Sequence, residues 1–419
     1  MSSNQKKIST LILLILSSSF ALKFGLQIFL SRSQNYWQTG YSFYYRTAQN
    51  FLNTGTLYLD ANHSLYEAPK LYAVRPPIYP IFIALVNRLT NHSAVAFILI
   101  ECLISSGTVL FVYQMTKLLA DKRAALASAF LCAFYPYALF HDSQLQENVV
   151  YNFFSTFSVL LLLFGIKREK SSYFFLTGTL LGLATLTRAS HLIHGLVLIF
   201  FLPWLFKKSN LKEIGKFFLL GLLGFSLVLA PWILRNKRAT GAWTLTSLTG
   251  GALAEAHNPY TFLYYLSKSI DLSTARFKNE LIRERHSEIQ NFTADEMTQS
   301  KWYEKIAIDY ITTHPFETAK RGIIKIAVNF LGILSPLQGF YKNLIFFLSY
   351  WFLTLLFIRA VPQIKSSAFL KIFLLLSLSQ AIFSFTFWAH TSHRSFLDPL
   401  LAVGAGIGLA SILSNGPKL

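Results

Sequence analysis

Arg75-Pro76-Pro77-Ile78-Tyr79-Pro80-Ile81-Phe82-Ile83-Ala84-Leu85 marks the point where a polar loop, running from Ser31 to Arg75, turns back into apolar chain. From Ile78 onward, Ile81, Phe82, Leu85, Val86 and Leu89 recur at helical spacing, and the prolines before them suit a first turn. Upstream in the loop, Tyr44, Ala48, Phe51 and Leu52 fall at i, i+4, i+7 and i+8, with Arg46, Thr47, Gln49 and Asn50 on the other side. Asn53-Thr54-Gly55 supplies the stop, since Asn and Gly tolerate positive φ. Neither helix is long or apolar enough to span a bilayer. Two such helices separated by a polar segment predict a platform lying on a membrane surface.

Working outward, the composition fixes the solvent. Of 419 residues, 53% are hydrophobic and only 14% are charged, which excludes an ordinary soluble protein and fits a polytopic membrane protein. The formal net charge of +19 (38 basic minus 19 acidic) raises nucleic acid as a partner. However, the basic residues cluster in short gaps between apolar runs, where they set topology and meet anionic lipid. No nucleic-acid partner is expected. Cys102 and Cys132 lie inside apolar runs and read as small core residues.

The fold class expected is an all-α polytopic membrane protein with about ten transmembrane helices. The first lies within residues 1–30, where Lys6 and Lys7 precede an apolar run too long for a signal peptide's core. Further segments run over about 94–119, 124–140, 148–166, 173–187, 190–206, 216–234, 343–360, 368–388 and 398–415. Two of these are short enough to make a hairpin around Thr187-Arg188-Ala189-Ser190. With a cytosolic N-terminus, the cytosolic gaps hold Lys122-Arg123, Lys167-Arg168, Lys207-Lys208, and Arg359 with Lys365, and Lys418 closes the series. Each is basic, as the positive-inside rule requires. The predicted organisation is a transmembrane module over 1–236, an outer-face helical segment over 237–341, and C-terminal transmembrane helices over 342–419.

The outer face then receives the opening loop, the tip His141-Asp142-Ser143-Gln144-Leu145-Gln146-Glu147, Arg188, Arg235-Asn236 and His390-Thr391-Ser392-His393-Arg394. A single arginine at a helix end is ordinarily a snorkelling side chain. Several on one face point to a shared anionic partner. In the long outer segment, Thr293 and Glu296 read as a capping box, Trp302, Ile306 and Tyr310 keep helical spacing, and Thr313-His314-Pro315 ends the helix. An amphipathic stretch, Lys320 to Leu334, follows. Scattered histidines and two apolar cysteines give no metal pattern, and neither a cofactor nor a divalent metal is indicated.

Four motifs in register carry a family resemblance. Arg75 to Leu85 resembles the RPP-x-YP-x-F-x-AL segment after the first outer loop of bacterial GT-C glycosyltransferases, relatives of protein O-mannosyltransferases and the lipid A aminoarabinose transferase. Gly182-Leu183-Ala184-Thr185-Leu186-Thr187-Arg188 resembles their GLA-x-LTR, and Pro231-Trp232-Ile233-Leu234-Arg235-Asn236 their PW-x-x-RN. Arg394 to Pro399 stands where they carry an arginine segment before the last helix.

The resemblance implies a polyprenyl-phosphate-linked sugar donor, an active site at the outer face of the cytoplasmic (inner) membrane, and inverting transfer to a glycan, lipid or protein acceptor. On this reading Arg75, Arg188, Arg235 and Arg394 grip the donor phosphate, because arginine can bind its oxygens bidentately. Glu147, then Asp142, are the candidate carboxylates to take the acceptor's proton. Tyr44, Tyr79, Asn236, His257 and His393 are expected around the substrate pocket. One departure stands out. Relatives carry an acid before the Tyr-x-x-x-Ala pattern of the first loop, whereas Gly40-Tyr41-Ser42-Phe43 offers none, and Asp60 and Glu67 lie off the motif. That absence motivates an alternative, a non-catalytic lipid-binding protein on the same fold. A transporter is disfavoured, since no charged residues are expected near helix centres and no two-halves repeat appears.

Overall fold

The computed structural model describes residues 3–32, 35–60, 68–206, 210–262, 270–285, 295–335 and 337–415. Among these, seven helices are long and apolar enough to cross a membrane: Lys7–Ser31, Ala94–Leu119, Asn148–Arg168, Leu211–Thr240, Phe340–Ile364, Ala368–Thr386 and Thr391–Ser414. The other three expected segments are shorter. Tyr135 before Pro136 is extended, at ψ 117°, so the chain breaks into Lys122–Ala133 and Pro136–His141. The cause is the proline ring, which excludes the helical conformation from the residue before it. Ser171–Thr187 and His191–Phe200 form the hairpin expected around Arg188.

The segments pack as a bundle whose largest core joins residues from Val112 to Ile407. Helix Ser171–Thr187 lies closest to Leu211–Thr240: a Cβ on Gly178 would fall 1.9 Å from the Gly221 carbonyl oxygen. Small residues at that crossing let two backbones touch in a medium where apolar burial alone gives little drive. At one end of the bundle, Asp121, Arg123, Gln363 and Ser414 line a common cavity, placing two of the basic gaps and the chain's last helix together. Lys207, Lys208 and Lys418 lie outside the described residues.

At the opposite end sit both amphipathic helices of the first loop. The first is Phe43–Thr54, stopped by Gly55 at φ 71°, and the second Ile78–Thr90. Ile81, Leu85 and Leu89 stay exposed on the second, as an interfacial helix requires. The described residues between 59 and 71 add a two-stranded antiparallel pair, Leu59–Asp60 with Lys70–Leu71. In the later segment, helices Glu296–Thr313 and Pro315–Phe330 break at His314 as read from the sequence.

Two readings need correction. Thr293 lies outside the described residues, and Asp295 is the cap, accepting from the Met297 and Thr298 amides at 3.0 and 3.1 Å. The Glu296 side chain leaves its own helix altogether. Charged residues also stand within the spans. Lys23, 3% exposed, donates to Asp142 at 2.7 Å, and Glu101, fully buried, accepts from Tyr36 and Tyr79 at 2.8 and 2.9 Å. They escaped notice because each is a single charge in an apolar run. Each is tolerable there only because a partner from another segment meets it.

Candidate functional site

Six stretches that are separate in sequence converge at the loop-bearing end of the bundle around a cavity of about 590 Å³. Its polar end is formed by Tyr44, Arg75, Glu147, Arg188, Ser190 and His393. Its other walls are apolar, with Leu192 and Ile193 from one helix and Ile382, Phe383 and Phe387 from another. Trp243 to Thr249 complete the rim. A small set of polar groups at one end of a mostly apolar cavity is the common form of a ligand site.

Glu147 stands at the head of helix Asn148–Arg168, where unpaired backbone amides favour an anion. Arg188 stands at the break between Ser171–Thr187 and His191–Phe200 and reaches across. Its Nε and Nη2 donate to Glu147 Oε1 at 2.9 and 2.6 Å, and its Nη1 donates to the Ser392 carbonyl. The guanidinium lies 5.2 Å from the Tyr151 ring centre. Both partners are nearly buried, at 5% and 7% exposure. Glu147 Oε2 has no hydrogen-bond partner among the described residues. Burial pushes the Glu147 carboxyl up, but Arg188, its own backbone amide and Arg75 outweigh this and hold it below the usual carboxylate range. For Arg188, burial favours the neutral form and Glu147 reverses it, raising the guanidinium above its ordinary value.

Arg75 enters the cavity over the Phe43 ring, 4.3 Å from its centre, so the amphipathic helix Phe43–Thr54 acts as its rest. Tyr44, on the same helix, is buried edge-on against Tyr79 at 5.1 Å. The structure thus brings together Arg75, Arg188, Glu147, Tyr44 and His393.

The remaining expected residues lie elsewhere, for identifiable reasons. Arg235 donates to the Tyr72 carbonyl at 2.5 Å, to the Leu57 carbonyl, and to Asn236 Oδ1 at 3.0 Å. Loop backbone therefore takes up its donors, on the far side of the wall. Asn236 holds the Thr244 and Leu245 carbonyls at 3.0 and 3.3 Å, and Trp232 Nε1 donates to the latter at 2.9 Å. Arg394, 1% exposed, pairs with Asp398 at 3.2 Å and lies 4.2 Å from the Tyr350 ring centre, away from the cavity. Asp142 is the counter-ion of Lys23, beside a separate small cavity of about 30 Å³. Tyr79 is committed to Glu101. His257 Nε2 meets the Thr386 carbonyl at 2.7 Å, and burial with Lys325 nearby lowers its pKa to about 4. Of the other carboxylates, Asp60 is exposed and accepts from Asn50 at 3.0 Å, and Glu255 faces Trp388 Nε1 at 3.4 Å. Glu67 lies outside the described residues.

Sequence reasoning missed the aromatic wall, Phe383, Phe387 and Trp388, because a Phe in a span reads as lipid-facing until its neighbours are known. It also treated the histidines as scattered. His194 stacks on Phe396, His191 meets the same ring edge-on, and His390 stands 5.7 Å from the cavity-lining His393, so separate segments gather them at and behind the cavity wall.

The family model for dolichyl-phosphate-mannose-protein mannosyltransferase matches residues 74–234, from the cavity wall at Val74 to Leu234 within helix Leu211–Thr240. No curated protein matches the chain. Among solved structures, the apo oligosaccharyltransferase of Archaeoglobus fulgidus aligns with a TM-score of 0.60 at 15% identity, over 96% of this chain and 50% of that one. The same organism's AglB, in complex with an inhibitory peptide and a dolichol-phosphate, aligns at 0.57 and 13% identity, over 96% and 50%. Apo ArnT from Cupriavidus metallidurans gives 0.45 at 11% identity, over 95% and 77%. The chain spans about half the length of the oligosaccharyltransferases it matches.

Proposed function

We propose that this chain, a multi-pass membrane protein with the GT-C fold, transfers a sugar from a polyprenyl-phosphate carrier to an acceptor hydroxyl or amide at the outer face of the cytoplasmic membrane. The observation that carries this reading is the two-part cavity, whose apolar walls suit an isoprenoid chain and whose polar end holds Arg75 beside the Glu147–Arg188 pair. Arg75 takes the phosphate, with Arg188 adding positive field from behind Glu147. Glu147 Oε2, the oxygen with no partner among the described residues, accepts the acceptor's proton. As that proton leaves, the acceptor atom attacks the anomeric carbon, the carbon–oxygen bond to phosphate breaks, and polyprenyl phosphate departs with the electron pair. The growing charge on phosphate is met by arginine in a site shielded from water. The match to the mannosyltransferase family model, and the likeness to an oligosaccharyltransferase in complex with a dolichol-phosphate, support a lipid-linked donor.

The alternative, lipid binding without transfer, is favoured by two features: the segment Gly40–Phe43 of the first loop has no acid, and Glu147 is already paired. The two separate in one assay. The purified protein, given lipid-linked sugar and cell extract, is expected to release free polyprenyl phosphate. Arg75→Lys should weaken polyprenyl-phosphate binding roughly tenfold, since lysine offers a point charge where arginine offers a fork. Binding without release leaves the non-catalytic reading, and tight binding by Arg75→Lys removes Arg75 from the phosphate.

The placement of the cavity outside the cytosol rests on the basic residues at the opposite end. Membrane-impermeant reagent added from outside is expected to label Asp309→Cys but not Lys170→Cys. The opposite pattern reverses the topology.

A further inference from the structure

Glu296 is the first residue of helix Glu296–Thr313, yet its carboxylate caps nothing there. It crosses instead to the end of the first loop, a sequence separation of more than two hundred residues. Oε1 accepts from the Tyr72 amide at 2.8 Å and the Ala73 amide at 3.0 Å, and Oε2 accepts from Ser247 Oγ at 2.8 Å. The two strips it joins also join each other. The Ser247 amide donates to the Ala73 carbonyl at 2.9 Å, and Thr246 Oγ1 to the Val74 carbonyl at 3.0 Å. From behind, Arg235 holds the Tyr72 carbonyl. Beneath the clasp, Gly250 passes so near the Glu296 helix that a Cβ would fall 1.9 Å from the Ser300 carbonyl oxygen. Glu296 is 3% exposed and does not line the cavity, but Val74, Arg75 and Thr246 do.

We propose that Glu296 is a positioning residue: it fixes the backbone from which Arg75 projects, so that the arginine meets a lipid phosphate in one orientation. This rests on the donor reading of Arg75 given above. The physical case is that Arg75 is long and its wall is loop, and loop backbone has few internal hydrogen bonds to hold it still. A carboxylate accepting from two successive amides and a hydroxyl provides charge-assisted bonds, which are stronger than neutral ones. The carboxyl sits above its usual range because burial outweighs those bonds and Arg235. The same arrangement explains Arg235 and Trp232–Asn236 without any contact to ligand: they support the wall from its other side.

The test uses the full-length protein in detergent, with undecaprenyl phosphate as the probe, and two readouts. Amide exchange over residues 70–76 reports the clasp directly. Glu296→Ala is expected to speed it, Ser247→Ala to speed it less, and Glu296→Gln to leave it close to wild type, since the amide oxygen still accepts from both backbone groups. Binding reports the consequence. Glu296→Ala should weaken undecaprenyl phosphate roughly tenfold, Arg75→Ala by a similar factor, and the double variant no further, because both act through one contact. Losses that add in the double variant, or unchanged exchange in Glu296→Ala, would overturn the proposal. If Glu296→Ala does not fold, Ser247→Ala carries the same comparison. Wild-type binding by Arg75→Ala would sink the donor reading instead, and exchange would then decide the clasp alone.

Discussion

Glu147→Gln is expected to lower transfer at least about a hundredfold, the range general-base catalysis supplies, while polyprenyl-phosphate binding survives. Glutamine keeps an oxygen for the Arg188 fork, so the pair's geometry holds. What it loses is the ability of the second oxygen to take a proton. Asp60→Asn should be nearly silent, because Asp60 is exposed and occupied by Asn50. Transfer that persists in Glu147→Gln, but fails in Asp60→Asn, would return the chemistry to the first loop. The pH dependence follows from the sign of the shift. Because the folded Glu147 sits below the usual carboxylate range, its stabilising pairing is complete above the unfolded value of about 4.3 and is lost as pH falls through the depressed folded value. The acid limb of the rate profile should therefore lie below about pH 4.3, and a limb near neutrality would point to a different base.

Arg394→Ala is expected to destabilise the fold by about 3–5 kcal/mol, because it strands Asp398 without its buried counter-ion. The effect on lipid binding per folded molecule should be small, since Arg394 lies outside the cavity. Thermal unfolding and undecaprenyl-phosphate binding, measured on the same preparation, separate the two. An unshifted unfolding midpoint with lost binding would restore Arg394 to the phosphate. The double replacement Arg394→Met with Asp398→Leu should recover much of the loss, since apolar side chains of similar volume can replace a buried pair.

These two residues show what the chain disclosed and what it withheld. The helices were readable because their signals are local, apolar periodicity and Gly55 at a positive φ, whereas the break before Pro136 was passed over in a segment read as continuous over 124–140. Arg75, Arg188 and Glu147 were readable as polar residues at the ends of apolar segments on one predicted face. Nothing local distinguishes Arg188, whose ion pair borders a cavity, from Arg394, whose ion pair fills a core. Each is an arginine at a helix end, and the difference lies in which segment packs opposite. Glu296 was misread for the same reason. Its position suited a cap, but its partners lie on a different loop. One missed signal was local after all. Ser19, Lys23 and Gln27 stand at i, i+4 and i+8 in the first helix, a polar stripe at helical spacing within an apolar run.

That stripe bears on how the molecule is put together. All three side chains are at least 97% buried, and they meet the Ala133 carbonyl, the Asp142 carboxylate and the Asp142 carbonyl respectively. Apolar contacts hold the helix as well, with Ile12, Ile15, Leu16, Phe20, Phe24 and Ile28 packed against neighbouring clusters, although only 17% of its most apolar window is fully buried. The polar attachments are to groups made later: Asp142 follows Lys23 by 119 residues. During synthesis, the first helix enters the bilayer carrying an ammonium group with no counter-ion, and must wait, loosely tethered, until the chain delivers one. Assembly of this bundle thus has a clasping step that depends on chain length already made: helix Lys7–Ser31 finds its polar seat only once Asp142 has followed it.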